Sequence, residues 1–370
     1  MQNNGINWRK VRSHIMVFDA SLAIIIFLIM SIGIVTLYSA GINFPGRVED
    51  QLRNILISFI VMWMMASIPP QTLMRFAIPI YTFGVALLIA VAAFGMIKKG
   101  ARRWLNVGIG TGIQPSEMMK IATPLMLAWY FQKRESTLGW RDFIVAAVIL
   151  FIPVGLIARQ PDLGTALLVV GAGFSVIFLA GLSWRVLIGL LLAVLVSIPI
   201  IWPMLHGYQR DRVMTMIDPT TDPLGKGFHI IQSTIAVGSG GITGKGWLKG
   251  TQTHLEFVPE HTTDFIFAVY SEEFGFIGNS ILVVLYLLLI VRGLMIAANA
   301  PTLFARLMAG SVTMIFFTYA FVNMGMVSGI VPVVGVPLPF MSYGGTALLT
   351  LGMGAGILMS IQRNRKLVQT

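Results

Sequence analysis

Ten unbroken apolar runs, most of them close to 20 residues, set the limits on what this chain can become. They lie near 20–39, 54–68, 75–97, 116–132, 143–158, 164–182, 185–205, 273–297, 304–329 and 344–361. A helix that crosses the hydrocarbon core of a bilayer needs about 20 consecutive apolar residues. Strands of a membrane barrel would show roughly ten-residue stretches of alternating character instead, and these runs do not alternate. Composition closes the soluble alternative. Of 370 residues 56% are hydrophobic and 11% charged, against about 25% charged in an ordinary soluble domain. A soluble globular enzyme, a disordered chain and a coiled coil are all excluded. The expected fold is an all-α polytopic membrane protein of about ten transmembrane helices. It reads as one membrane domain over 1–370 with a long extracytoplasmic loop, about 206–262, before helix eight. The first run follows Arg9, Lys10 and Arg12 and is too long for a signal-peptide core, so it reads as an uncleaved span. There is no cysteine, which rules out disulfides, thiol catalysis and Cys-ligated zinc.

An even number of spans puts both termini on one side. Cations before the first span and after the last, Arg363, Arg365 and Lys366, place both in the cytoplasm by the positive-inside rule. The formal charge of +11 forms no basic stripe with base-stacking aromatics, so no nucleic-acid partner is expected; membrane lipids are. On this topology Lys98, Lys99, Arg102 and Arg103 crowd one short outer loop, against the rule. Either an anion site or contact with lipid headgroups accounts for them.

Most of the 15 acids lie in loops, and Asp19 reads as a helix cap. Those in or beside apolar runs are different, because an ionisable group at membrane depth costs about 2.5–3.5 kcal/mol on insertion scales. Glu117 and Lys120 are three residues apart and share a helix face, either as a charge pair or as the polar wall of a cavity. Asp162, in the turn Gln160-Pro161-Asp162-Leu163-Gly164-Thr165, reads as a cap, a site residue or both. Asp264 precedes an apolar run at the membrane edge, which suits a general base or again a cap. Glu272 and Glu273 follow two turns later. The glycine-rich stretch Ser239 to Gly246 is neither a Walker loop nor a dinucleotide fingerprint. The histidines have no zinc-protease spacing, and Ser342-Tyr343-Gly344-Gly345 is no nucleophile elbow.

Taken together, Pro115-Ser116-Glu117 with Lys120, Gln160 to Thr165, His261 to Val269 and Val336 to Gly345 resemble the SEDS family (shape, elongation, division and sporulation) over nearly the whole chain. The stretch Asp218 to Gln252 and the short N-terminus are similar to the family's elongation branch rather than its division branch. Here His261 stands one place earlier than relatives have it, while Asp264 keeps its place before Phe265. The resemblance implies a peptidoglycan glycosyltransferase that polymerises lipid II on the outer face of the bacterial cytoplasmic membrane. It implies a class B penicillin-binding protein as transpeptidase partner, and MreB, MreC and MreD in the same complex. It points to Asp264 as the essential acid, with Glu117, Lys120 and Asp162 in one cavity.

Such a polymerisation converts an α donor bond into a β product bond, so one inverting displacement suffices. It needs a base at the acceptor hydroxyl and positive charge at the departing pyrophosphate. Asp264 fits the base. Lys120, Arg102 and Arg103, with Arg210 and Arg212, fit the leaving group, and a divalent cation (Mg or Mn) bridging a carboxylate and the pyrophosphate is compatible. A lipid II flippase is the alternative of a different class, since buried charges and kinked helices also suit a transporter.

Overall fold

The computed structural model describes residues 18–98, 101–105, 114–204, 207–221, 226–254 and 260–365. The terminal cations Arg9, Lys10, Arg12 and Lys366, the loop residue Lys99, and the side chains of Lys98, Arg102 and Arg212 lie outside the described residues. Each of the ten apolar runs forms a helix. In chain order these are α1 (Ala20–Ala40), α2 (Arg47–Ser67), α4 (Ala77–Phe94), α5 (Pro115–Arg134), α6 (Trp140–Arg159), α7 (Leu163–Leu179), α8 (Trp184–Ile201), α12 (Ile266–Ala298), α13 (Leu303–Val327) and α14 (Gly345–Arg365). A short helix α3 (Pro70–Arg75) and a two-stranded antiparallel hairpin, β1 (Met96–Lys98) and β2 (Ala101–Trp104), join them.

Local chemistry sets the helix starts. Asp19 caps α1 by accepting from the Leu22 amide at 2.9 Å, Thr302 caps α13, and Pro115 opens α5 where its missing N–H costs nothing. Among the described residues seven helices are long and apolar enough to cross a membrane. The other three are α7, apolar but only 17 residues long, and α2 and α5, which carry charges. α8 buries no residue. A helix apolar all round and covered by nothing is stable in lipid and not in water. The chain is a multi-pass membrane protein.

At the centre stands α13, buried along most of its length, with α5, α7, α12 and α14 around it. The stretch expected as a loop is largely helical: α9 (Gly207–Ile217), α10 (Lys226–Ser239) and α11 (Thr251–His254) lie within it. α12 starts at Ile266, earlier than its apolar run, and interrupts at Gly275 with φ 63° and ψ −157°. A residue with a Cβ is strained there. The glycine-rich segment supplies the backbone partners the break releases. Lys245 and Gly246 amides donate to the Glu272 and Glu273 carbonyls at 3.0 Å each, and Phe276 donates back to the Gly241 carbonyl at 2.9 Å. Glycine is needed for so close an approach: a Cβ on Gly240 would lie 2.1 Å from the Ser271 oxygen.

Candidate active site

The site is built at one end of the bundle, where the connections meet the ends of α2, α5, α7, α13 and α14. Asp264 sits in a tight turn, residues 260–265, just before α12. Its backbone carbonyl accepts from Asn323 Nδ2 of α13 at 2.7 Å, and the same amide group donates to the Val336 carbonyl at 2.7 Å. The turn is also tied to the loop before α14. Ser342 Oγ donates to the Thr263 carbonyl at 2.7 Å and accepts from the Leu338 amide at 2.8 Å, and the Tyr343 amide donates to the Thr262 carbonyl at 3.0 Å. Gln51 of α2 brackets that loop, donating to the Ser342 carbonyl and accepting from the Gly344 amide. The Ser342 hydroxyl is thus a structural clamp. Gly335, with φ 73°, lets the chain pass beside the Asp264 carboxylate, 3.3 Å from where a Cβ would stand. The backbone is fixed on both sides while the side chain borders a cleft of about 210 Å³ shared with Thr215, His229 and Glu260. A carboxylate held this way is pre-positioned.

One turn away on α13, Tyr319 shares a face with Asn323. Its hydroxyl meets the Lys120 ammonium, which is 2% exposed. Lys120 also pairs with Glu117 at 2.5 Å, and Glu117 accepts from Thr350 of α14 at 3.4 Å. Asp162 caps α7 through the Thr165 amide at 3.3 Å, accepts from Gln114 Nε2 at 3.0 Å and lies 3.8 Å from Arg103. The Arg103 guanidinium donates to the carbonyls of Gln160 and Pro161 as well. For Asp162 the cap and the charged cluster are therefore one arrangement.

The Arg210 guanidinium donates to the Trp202 and Pro203 carbonyls beyond the end of α8, where freed carbonyls attract a cation. Glu272 and Glu273 are not in the site. Glu272 is held by Lys245 at 2.6 Å and the Gln252 amide at 3.0 Å, and Glu273 accepts from Ser39 and the Leu248 amide; together they anchor the glycine-rich segment. Among the described residues no three His, Asp or Glu side chains converge on a point that could hold a metal ion.

The FtsW/RodA/SpoVE family profile, described as "Cell cycle protein", matches residues 19–367. The chain belongs to this family. Among FtsW/RodA/SpoVE relatives, the Escherichia coli K12 protein named peptidoglycan glycosyltransferase MrdB is 49% identical over 98% of this chain and 96% of its own. The Bacillus subtilis stage V sporulation protein E is 35% identical over 93% of this chain and 97% of its own. A chain solved in work on the "structural coordination of polymerization and crosslinking by a peptidoglycan synthase complex" superposes with a TM-score of 0.82 at 34% identity, covering 95% of this chain and 99% of that one. The Thermus thermophilus rod shape determining protein RodA superposes with a TM-score of 0.71 at 28% identity, covering 95% of this chain and 98% of that one.

The family fold also places three residues that sequence reasoning passed over. Tyr319 and Asn323 are uncharged and lie inside an apolar run; their only signal is a spacing of four, which puts them on one helix face. Arg47, at the start of α2, donates to Thr262 Oγ1 in the Asp264 turn and lies over the Phe44 ring at 4.0 Å.

Proposed function

We propose that this protein is a peptidoglycan glycosyltransferase that extends glycan strands from lipid II, with Asp264 as general base. One observation carries the reading. The backbone of the Asp264 turn and the Lys120 ammonium are both tied to one face of α13, by Asn323 and Tyr319, one helical turn apart, which supports a base and a cation acting together as the displacement requires. Asp264 takes the proton of the acceptor 4-hydroxyl. The hydroxyl oxygen attacks the donor anomeric carbon as its bond to the pyrophosphate oxygen breaks, with inversion from α to β. Lys120 and Arg103 balance the negative charge that develops on the pyrophosphate. Glu117 and Tyr319 hold Lys120 in place, and Asp162 orients Arg103. Arg102 and Arg212 join them as candidate pyrophosphate ligands. No step is routed through a metal.

The reaction is proposed at the outer face of the bacterial cytoplasmic membrane, with both termini in the cytoplasm. A class B penicillin-binding protein would cross-link the product, within an elongation complex containing MreB, MreC and MreD. A lipid II flippase would need charge along the whole transit path. Here the charged cluster stays at one end, and at the other end Arg292 is sealed against Asp19 at 2.5 Å.

The test is polymerisation of lipid II by purified protein, with and without its partner. Asp264→Asn should lose roughly 10²–10⁴-fold in rate while still inserting and binding the penicillin-binding protein. Near-normal polymerisation by a folded Asp264→Asn protein overturns the assignment.

A further inference from the structure

A polymerase of this kind handles two polyprenyl-linked sugars at once, yet Lys120 and Arg103 supply one cationic site. A second place that combines a cation with an apolar slot lies on the other side of the Asp264 turn. There α1 and α2 diverge and leave a groove of about 260 Å³ between them. Ile26 and Met30 form one wall, Leu56 and Phe59 the other, and Phe340 the floor. Its lining is almost wholly hydrocarbon, and Phe18 stacked on Phe59 at 5.2 Å closes the end away from the site. Phe340 is a bulky residue at φ 60°, a conformation that persists only where the surroundings impose it and that clusters at ligand clamps. It belongs to the turn whose Ser342 clamps Thr263, so the floor of the groove and the Asp264 turn are one unit.

The opposite end of α2 carries Arg47. Its guanidinium reaches Thr262, two residues from Asp264, and lies 4.0 Å from the Phe44 ring centroid and 5.4 Å from that of Tyr343. No carboxylate pairs with it among the described residues; the nearby Asp50 is taken by Arg53 at 2.9 Å. A planar guanidinium held by neutral partners keeps donors for phosphate oxygens.

We propose that Arg47 and the α1–α2 groove form a second polyprenyl-pyrophosphate subsite, with Arg47 on the pyrophosphate and the groove on the chain. This rests on the glycosyltransferase reading and extends it: the substrate held here presents its sugar to Asp264 from the side opposite Lys120. Charge complementarity and the continuity of the groove floor with the catalytic turn single out this occupant over bulk phospholipid.

The test uses the full chain in neutral phosphatidylcholine nanodiscs. A single cysteine replaces Leu52, which lines the rim of the groove and is 51% exposed, and carries an environment-sensitive fluorophore. Undecaprenyl pyrophosphate is titrated in, and undecaprenol serves as the control. The expected result is a saturable response whose half-saturation rises about tenfold in Arg47→Ala, recovers partly in Arg47→Lys, and is weaker by a similar factor for undecaprenol. Leu56→Trp, which fills the groove from its lipid-facing side and leaves Arg47 in place, should abolish the response. Equal responses to both lipids, insensitivity to Arg47, or no response overturns the subsite and reduces the groove to lipid packing. The titration needs no turnover and is repeated in Asp264→Asn. Normal polymerisation with a failed titration removes only the subsite, whereas a successful titration without polymerisation removes the catalytic reading.

Discussion

Lys120 is the most deeply buried charge in the site, and its pairing with Glu117 and Tyr319 decides how it responds to substitution. Removing one partner of a buried pair leaves an uncompensated charge, a loss of about 3–5 kcal/mol, whereas removing both is far milder. Glu117→Gln and Lys120→Met alone should therefore lower stability more than the double variant does. If Lys120 also meets pyrophosphate, the double variant should be stable yet inactive in lipid II polymerisation. Substantial activity in it would reduce the pair to packing. His229 makes a second case. It stacks on Phe265 at 6.1 Å beside the Asp264 cleft, and burial holds its pKa below the ordinary value of 6.5, with the charge of Glu260 opposing. A histidine with a depressed folded pKa leaves the native state binding fewer protons than the unfolded one. Stability is then intact above about pH 6.5 and falls as pH drops below it. Thermal unfolding against pH should show this loss, and His229→Gln should flatten it; an unchanged profile in that variant would discard the assignment. Charge made Glu117, Lys120, Asp162 and Asp264 legible in the sequence, because each stands out against an apolar background. Tyr319, Asn323 and Arg47 did not stand out. The first two are ordinary in a span, and the third resembles any loop cation until the fold sets it against Thr262.

At the scale of elements, the unbroken apolar runs located all ten long helices. α2 begins at Arg47, where the apolar run begins near 54, because its first two turns carry Arg47, Glu49, Asp50 and Arg53. α12 begins at Ile266 rather than 273. The α2 extension brings Arg47 and Gln51 to the site, so there apolarity alone cuts the helix short where function begins. The long connection was illegible for another reason. α10 packs on α12 through tertiary contacts that no local pattern announces, and the pairing of the glycine-rich segment with the Gly275 break spans thirty residues of sequence. That pairing makes a sharp prediction. A Cβ at Gly275 would lie 2.3 Å from the Gly244 nitrogen and 2.8 Å from the Ile242 oxygen, backbone atoms that cannot turn aside. Gly275→Ala should therefore destabilise the protein by at least the ~1–3 kcal/mol of a forced backbone conformation and release the segment around Lys245. The readouts are a lowered Tm in detergent and new proteolytic cleavage between residues 239 and 250. A wild-type Tm and cleavage pattern would mean that the break is not held by this pairing.

For the whole molecule, the two ends of the bundle differ in kind. One end carries the connections 41–46, 95–114, 160–162, 202–265 and 328–344, and every candidate catalytic residue lies in them or within the adjoining turns of helix. The other end is closed by short links, 68–76, 135–139, 180–183 and 299–302. A polymerase whose product is assembled outside the cell must turn the first end outward. The positive-inside rule agrees only through the termini, since the cations around Arg103 argue against it; the reading requires that binding Asp162 and substrate phosphate offsets that bias. The absence of cysteine makes the orientation directly measurable. Ile42, in the first connection at the site end, is 55% exposed, and Asn299 lies at the opposite end between α12 and α13. In intact spheroplasts a membrane-impermeant maleimide should label Ile42→Cys and leave Asn299→Cys untouched until the membrane is permeabilised. Both single variants should retain polymerisation, because neither position touches the site. The reverse pattern would turn Asp264 and Lys120 toward the cytoplasm, and an outward-facing polymerase could not then be sustained however well the base and the cation are placed.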